Sequence, residues 1–201
     1  MGKKKDAKKA GKALLKADTE ATHDVAQNRD TLLVRVAGGA SEIADQPPLI
    51  AISVVTLVAG VVLRRPVLAR TGARMLTAHL IATGIKSAVK RSVVRARPNH
   101  AEKIGKPVFE PGKKDTPPLN SFPSGHTAGA VAVANAVARD APLAGLATQG
   151  AAGVVAALQP PRGTHYVSDV VVGGAIGWVS ERAARLIVDR WAPRIWRRIA
   201  K

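Results

Sequence analysis

Hydrophobic and polar positions divide the chain into a polar first quarter and a series of apolar stretches. Residues 1–18 are rich in lysine, and residues 19–45 are polar with scattered aliphatic side chains. Runs of like charge stay solvated, so we expect the first segment to be a basic flexible tail. We expect the second segment to be a polar or interfacial helix that breaks near Gly38-Gly39, because glycine weakens a helix.

Prolines and basic residues mark the ends of the apolar stretches that follow. Five helices are predicted, over residues 49–63, 71–94, 124–139, 142–158 and 166–188. The segment 98–122 contains several prolines and glycines and is typical of a long ordered loop. No strand-type alternation of any length occurs. The pattern therefore predicts an all-α fold, a bundle of about five to six helices.

The length and the flanks of these helices favour a membrane. The runs at 47–63 and 142–158 reach the lower limit of about 17 residues for a spanning helix. Small residues suit close packing in lipid, and Arg, Lys and Trp gather at helix ends. Periodicity alone also fits a buried soluble bundle. We expect a transmembrane domain over 46–190, followed by a basic tail over 191–201.

Composition narrows the classes of partner. The chain has 201 residues, enough for one domain, and a formal net charge of +17. This excess suggests a polyanionic partner such as nucleic acid, an acidic membrane or a phosphorylated substrate. Aromatic residues are only 3% of the chain, which argues against a stacking platform for single-stranded nucleic acid. With no cysteine, disulfides and thiolate metal sites are excluded.

A basic cluster precedes the long loop. In the run KRSVVRARP, Lys90 and Arg97 are seven positions apart. Two helical turns separate such positions, so we expect them to share one helix face. A basic stripe beside a membrane would explain the same residues without any site.

A second cluster follows the loop. Ser124 is placed to cap the next helix, and Gly125 allows close backbone approach. Free N–H groups at a helix start are donors for an anion, and His126 would project toward it. An ordinary cap with an incidental histidine explains the pattern equally well.

A third cluster joins Arg162, His165 and Asp169. The histidine and the aspartate are four positions apart, hence neighbours at a helix start. A carboxylate beside the imidazole can hold one tautomer and leave the other nitrogen free as a nucleophile. A simple buried His–Asp hydrogen bond is the plainer alternative.

The order and spacing of the three clusters resemble the three-part signature of the type 2 phosphatidic acid phosphatase family. That family includes class A acid phosphatases and vanadium haloperoxidases, and the resemblance covers about residues 48–188. It implies an integral membrane lipid phosphatase, in a bacterial inner membrane, with its active site at one membrane interface. The substrate would be a phospholipid or isoprenoid phosphate or diphosphate.

The resemblance also implies a role for each residue. Four groups would bind the phosphoryl oxygens: Lys90, Arg97, Ser124 and Gly125. His165 would attack phosphorus to form a phosphohistidine, with Asp169 orienting it, and His126 would protonate the leaving oxygen. Neither a metal nor another cofactor is needed on this scheme, because cationic side chains supply the electrostatic stabilisation.

One position departs from the family pattern. The third motif usually carries an arginine six residues before the nucleophilic histidine, where this chain has Gln159. Arg162, three residues before His165, is the candidate that replaces it.

Two alternatives remain open from the sequence. A soluble acid phosphatase or a vanadate-dependent peroxidase would use the same site. A basic protein that binds membranes or nucleic acid, with a degenerate site, would account for the net charge. We expect the membrane and a lipid phosphate as partners, and no specific nucleic acid.

Overall fold

The computed structural model of the chain describes residues 2–113 and 115–199 and is predominantly helical. Eight α-helices occur in this described part: α1 Gly2–Ala26, α2 Leu32–Ala40, α3 Gln46–Val62, α4 Pro66–Lys90, α5 Pro98–Ile104, α6 Gly125–Asp140, α7 Pro142–Leu158 and α8 Val167–Ile199. A 3₁₀ turn, Ser41–Ala44, joins α2 to α3, and two short strands are β1 Val93–Arg95 and β2 Phe109–Pro111. The predicted helical bundle is confirmed, with more helices than expected.

Three helices form the centre of the bundle. Helices α4, α6 and α8 pack against one another, α3 packs on α4, and α7 packs on α6. Alanines dominate the contact, with Ala78 and Ala82 of α4 against Ala128 and Ala132 of α6 and Ala184 of α8. Such small side chains let helix backbones approach closely.

The starts of α6 and α7 agree with the local sequence signals at Ser124 and Pro142. Ser124 caps α6, since its hydroxyl accepts a hydrogen bond from the Thr127 amide at 3.4 Å. Helix α7 begins at Pro142 and ends at Leu158, as its flanking residues predict. Proline at the first helical position lacks only an N–H that would have been unpaired there.

The helix predicted over residues 71–94 ends earlier than expected, and the prediction that Lys90 and Arg97 share a helix face is wrong. Helix α4 ends at Lys90, and the chain then enters β1, which pairs antiparallel with β2. Lys90 and Arg97 therefore do not share a helix face. The β-branched pair Val93-Val94 favours extended structure, and Pro98 disfavours a helical conformation at Arg97.

The N-terminal segment also differs from expectation. Residues 2–18, expected to be flexible, lie in α1, which continues to Ala26. Thr22 and Ala26 are buried, so the second half of this helix is held by tertiary contacts. The second segment breaks after Ala26, which was not expected, and α2 ends at Ala40, next to Gly38-Gly39, as expected.

The C-terminal part is a longer helix than predicted. Helix α8 continues to Ile199, through most of the segment 191–201 that was expected to be a tail; residues 200–201 lie outside the described part.

Helix length and composition give limited information on membrane spans. Within the described residues, no single helix is long and apolar enough to cross a membrane unaided. The segments Leu32–Ala44 and Gln46–Val62 meet the criterion together, with a bend of 52° between them, and Pro142–Leu158 is a shorter apolar helix.

Candidate active site

His165 lies in the loop before α8 and is 3% exposed. Its Nδ1 atom is 2.7 Å from the Ser121 carbonyl oxygen, which can only accept, so Nδ1 carries the proton. Asp169 Oδ2 lies 3.6 Å from the same nitrogen. The predicted neighbourhood of His165 and Asp169 is present, but the shorter contact to the ring comes from a backbone carbonyl. This arrangement leaves Nε2 with its lone pair, and no hydrogen-bond partner for Nε2 exists among the described residues.

Asp169 is fully buried, and both of its carboxylate oxygens accept hydrogen bonds. Its carboxylate accepts hydrogen bonds from Arg95 Nη1 at 2.5 Å, from the Tyr166 amide at 2.9 Å and from the Ser121 hydroxyl. Arg95 is 2% exposed and stacks over the Tyr166 ring at 4.0 Å. Sequence reasoning missed Arg95 and Ser121. Arg95 stands in the same basic run as Lys90 and Arg97, and nothing in the spacing separates its role from theirs.

The second cluster meets the third at the start of α6. The Ser124 amide donates to the Asp169 carbonyl oxygen at 3.0 Å, so the N-terminal ends of α6 and α8 are joined. A Cβ atom added to Gly125 would lie 3.0 Å from Lys86 Nζ. Gly125 thus leaves room for Lys86, which stands one helical turn before Lys90 in α4.

Cations of the first cluster also reach this region. Lys90 donates to the Asn120 carbonyl oxygen at 2.5 Å, and its charge acts on His165, as does that of Arg97. The Arg97 guanidinium makes no hydrogen bond or ion pair within the described part of the chain, and its Nε is buried. Lys90 and Arg97 therefore approach the same histidine although they do not share a helix.

Arg162 and His126 both contact the carboxylate of Glu42. Arg162 donates to Glu42 at 2.6 Å and to the Ser41 hydroxyl at 3.0 Å, and His126 Nε2 is 3.3 Å from Glu42. Gln159, which stands where the family usually has arginine, is buried and donates to the Val155 carbonyl oxygen. Sequence reasoning missed Glu42, which is more than 80 positions from His126.

Burial and nearby charges lower the pKa values of both His165 and Arg97. Burial lowers the pKa of His165, and the Lys90 and Arg97 charges lower it further, while Asp169 opposes them. Burial also lowers the pKa of the Arg97 guanidinium, and the nearby Arg162 adds to that effect. The imidazole therefore stays neutral to lower pH than an ordinary histidine, as a nucleophile requires.

Comparison with known proteins identifies the family. The family model described as the PAP2 superfamily matches residues 71–193, which include all three clusters. The chain belongs to the PAP2 superfamily. Membership confirms the resemblance deduced from the three clusters and makes the chain a phosphatase, a hydrolase of phosphoric esters.

Two solved structures resemble this PAP2 chain. The crystal structure of Aquifex aeolicus LpxE has a TM-score of 0.64 and 19% identity, and the match covers 82% of this chain and 92% of that one. The transmembrane PAP2 type phosphatidylglycerolphosphate phosphatase from Bacillus subtilis has a TM-score of 0.66 and 20% identity, with coverage of 89% and 87%. At these identities the likeness establishes the shared fold. The search of curated proteins gave no match.

Among the residues that the structure describes, one group of side chains could ligate a cation. Glu42, Asp45 and His126 each offer an atom within 4.8 Å of the others. Glu42 is already engaged by Arg162, and both carboxylates are exposed. A cation bound there would compete with that ion pair.

Proposed function

We propose that the chain is a membrane-embedded lipid phosphatase that acts through a phosphohistidine at His165. The observation that carries this proposal is the Arg97 guanidinium, partly buried beside His165 without a hydrogen-bonded partner in the described residues. A desolvated cation is costly unless an anion compensates it. Phosphoryl oxygens match the planar fork of a guanidinium, so a phosphate group is the compensating anion.

The reaction on this proposal has two steps. His165 Nε2 attacks phosphorus, an N–P bond forms, and the bond from phosphorus to the leaving oxygen breaks. His126 donates a proton to that oxygen. In the second step His126 takes a proton from water, whose oxygen attacks phosphorus, and the N–P bond breaks to release phosphate and restore the neutral imidazole.

Cationic side chains take the place of a metal in this scheme. Lys90 and Arg97 act on His165 electrostatically, and Lys86 lies beside Gly125. The first-turn amides of α6 add donors, since a helix start favours anions. Arg162 contributes the remaining guanidinium in place of the arginine that Gln159 replaces, after it leaves Glu42. Such fixed donors stabilise the charge that develops on the transferring phosphoryl group.

The outer surface of the bundle supports a membrane location. Large apolar side chains are exposed along several helices, such as Val55 and Val62 on α3, Leu143 and Leu146 on α7, and Leu186 on α8. Large contiguous apolar patches are rare on soluble monomers and mark surfaces that contact a partner or a membrane. Burial in lipid would remove it from water.

An apolar cavity beside the site supports a lipid substrate. Its volume is about 180 Å³, and it lies between the 3₁₀ turn, α3, α6 and α7, lined by residues such as Ile43, Leu49, Ala130 and Val133. His126 and Ala130 are four positions apart on α6, so the cavity begins one turn from the proposed proton donor. An acyl or isoprenoid chain in the cavity would place its phosphate near His126.

The similar solved structures suggest the substrate class. One of them is a transmembrane phosphatidylglycerolphosphate phosphatase, which acts on a phospholipid phosphate. Both come from bacteria, and we extend the proposal to a bacterial inner membrane.

The test is phosphate release by the detergent-purified full chain. We would screen phosphatidate, phosphatidylglycerophosphate and prenyl phosphates and diphosphates, with and without a chelator. We expect turnover of at least one lipid, unchanged by the chelator, and an acid-labile phosphoryl adduct in rapid-quench samples. His165→Ala should abolish both turnover and adduct.

His23→Ala is the matched control, because His23 is an exposed histidine on α1 whose ion pair is with Glu102, which has no role in the proposed reaction. Parental turnover by the His165→Ala variant would refute the proposal. Loss of activity in chelator would overturn its metal-independent part. Halide oxidation in the presence of vanadate, without lipid hydrolysis, would favour a peroxidase.

A further inference from the structure

Helix α1 lies outside the segment that matches the PAP2 superfamily, yet it contacts the helix that follows the proposed nucleophile. The Ser168 amide donates to Asp18 Oδ1 at 3.0 Å, and the Val167 amide donates to the Thr22 hydroxyl at 3.3 Å. These amides belong to the first turn of α8, where N–H groups have no partner within the helix. Asp18 therefore caps α8 from another helix, about 150 positions away.

The same carboxylate holds the buried arginine of the site. Arg95 Nη2 donates to Asp18 Oδ2 at 2.5 Å, while Nη1 donates to Asp169 Oδ1 at 2.5 Å and to the Ser168 hydroxyl at 2.7 Å. The side chains of Arg95 and Asp18 are 3% and 13% exposed. Arg95 is thus clamped between two carboxylates, one from α1 and one from α8.

This chain of contacts ends at the proposed nucleophile. Asp169 lies 3.6 Å from His165 Nδ1, and Tyr166, the residue between them that stacks on Arg95, donates its amide to Asp169. We infer that Asp18 is a positioning residue for the phosphatase reaction: by capping α8 and holding Arg95, it fixes Asp169 and, through Asp169, the His165 imidazole. This inference rests on the proposed role of His165, and it means that helix α1 contributes to the reaction through Asp18.

Two expected effects distinguish a positioning role of Asp18 in the reaction from a role in folding alone. Within the described part of the chain, Asp18 makes no hydrogen bond or ion pair with the proposed phosphate-binding residues, so its loss should act on kcat much more than on KM. Its negative charge also balances Arg95, whose guanidinium donates to Asp169, the carboxylate that raises the pKa of His165. Without it, the imidazolium form of His165 is less favoured, and the acid limb of kcat/KM should move to lower pH.

The experiment compares Asp18→Ala and Asp18→Asn with Asp24→Asn, a matched change at an exposed aspartate on the same helix. Rates, adduct burst amplitudes and pH profiles are measured on the full chain in detergent. Small misplacements of reacting groups cost up to about 100-fold in rate. We expect kcat to fall roughly 10- to 100-fold in Asp18→Ala with KM within about twofold. Asp18→Asn should lose less, because its amide oxygen still caps α8, and Asp24→Asn should behave as the parent.

Parental kcat and pH profile in Asp18→Ala would overturn the inference. So would a fall in rate matched by an equal fall in burst amplitude with an unchanged pH profile, since that result means only that less protein is folded. If Asp18→Ala does not purify as folded protein, Asp18→Asn alone decides through its pH profile. Activity that survives in His165→Ala would instead refute the proposed function, independently of the Asp18 variants.

Discussion

Glu42 contacts two side chains that the proposed phosphate site would use, and the substitution Glu42→Gln tests that proposal with an expected direction of change. Its carboxylate is 2.6 Å from Arg162 and 3.3 Å from His126, and its side chain is 50% exposed. Burial raises the pKa of Glu42, but the hydrogen bond from Arg162 and the charge of His126 outweigh it, so the pKa lies below its ordinary value. Glu42 is therefore an anion near neutral pH, and on the proposed mechanism it competes with the phosphate of the substrate for Arg162.

Glu42→Gln should strengthen phosphate-mimic binding by a predictable amount. A half-exposed ion pair contributes about 0.2–1 kcal/mol. Removal of that competition should tighten inhibition by orthovanadate roughly 1.4- to 5-fold, with a similar fall in KM. The gain should shrink as salt is raised, because ions screen exposed pairs.

The assay is the inhibition constant for orthovanadate at low and high ionic strength. Glu110→Gln is the matched control, because Glu110 is exposed in β2 and makes no ion pair with the described residues. Weaker vanadate binding in Glu42→Gln would refute the reasoning. It would mean that Glu42 holds Arg162 in place for the phosphate instead of competing with it.

Two further predictions concern packing and pH. A Cβ atom at Gly72 would lie 2.2 Å from the Leu57 amide nitrogen, whereas one at Gly84 meets nothing within 4 Å. Gly72→Ala should lower the free energy of unfolding by about 1–3 kcal/mol, whereas Gly84→Ala should raise it by about 0.5–1 kcal/mol. Thermal unfolding in detergent measures both changes. Equal shifts in the two variants would contradict the close contact between α3 and α4. The acid limb of kcat/KM should lie below the ordinary histidine pKa of about 6.5, because burial lowers the pKa of His165. It should fall further in Asp169→Asn, which removes the charge that raises that pKa; a limb shifted to higher pH would contradict this assignment.

Local sequence signals predicted the elements they act on directly. Ser124 and Pro142 fix the starts of α6 and α7 because a cap and a first-turn proline work within a few residues of themselves. The His165–Asp169 pair also follows from local spacing. What could not be predicted from the sequence depends on contacts between distant segments. Arg95 meets Asp169 and Asp18 across more than 70 positions, and no spacing rule reports such pairs.

The basic run shows why composition alone could not separate these roles. Arg95 and Arg97 are two positions apart in the sequence and differ in what surrounds them. Arg95 is buried between two carboxylates, so its charge is satisfied within the protein and its geometry is fixed. Arg97 makes no hydrogen bond or ion pair in the described part, so its charge is left for a ligand.

This difference gives the site two parts with different physical requirements. The compensated part, built from Asp18, Arg95 and Asp169, needs no ligand to be stable and can hold the proposed nucleophile, His165, in one orientation. The uncompensated part contains Arg97 and Lys86, whose charges both repel that of Lys90. On the proposed mechanism an arriving phosphate relieves this repulsion, so binding energy is gained where charge develops in the reaction. Variants of the first part should therefore alter kcat and the pH profile, and variants of the second should alter affinity for vanadate. If Arg97→Ala left vanadate affinity unchanged, this division would be wrong.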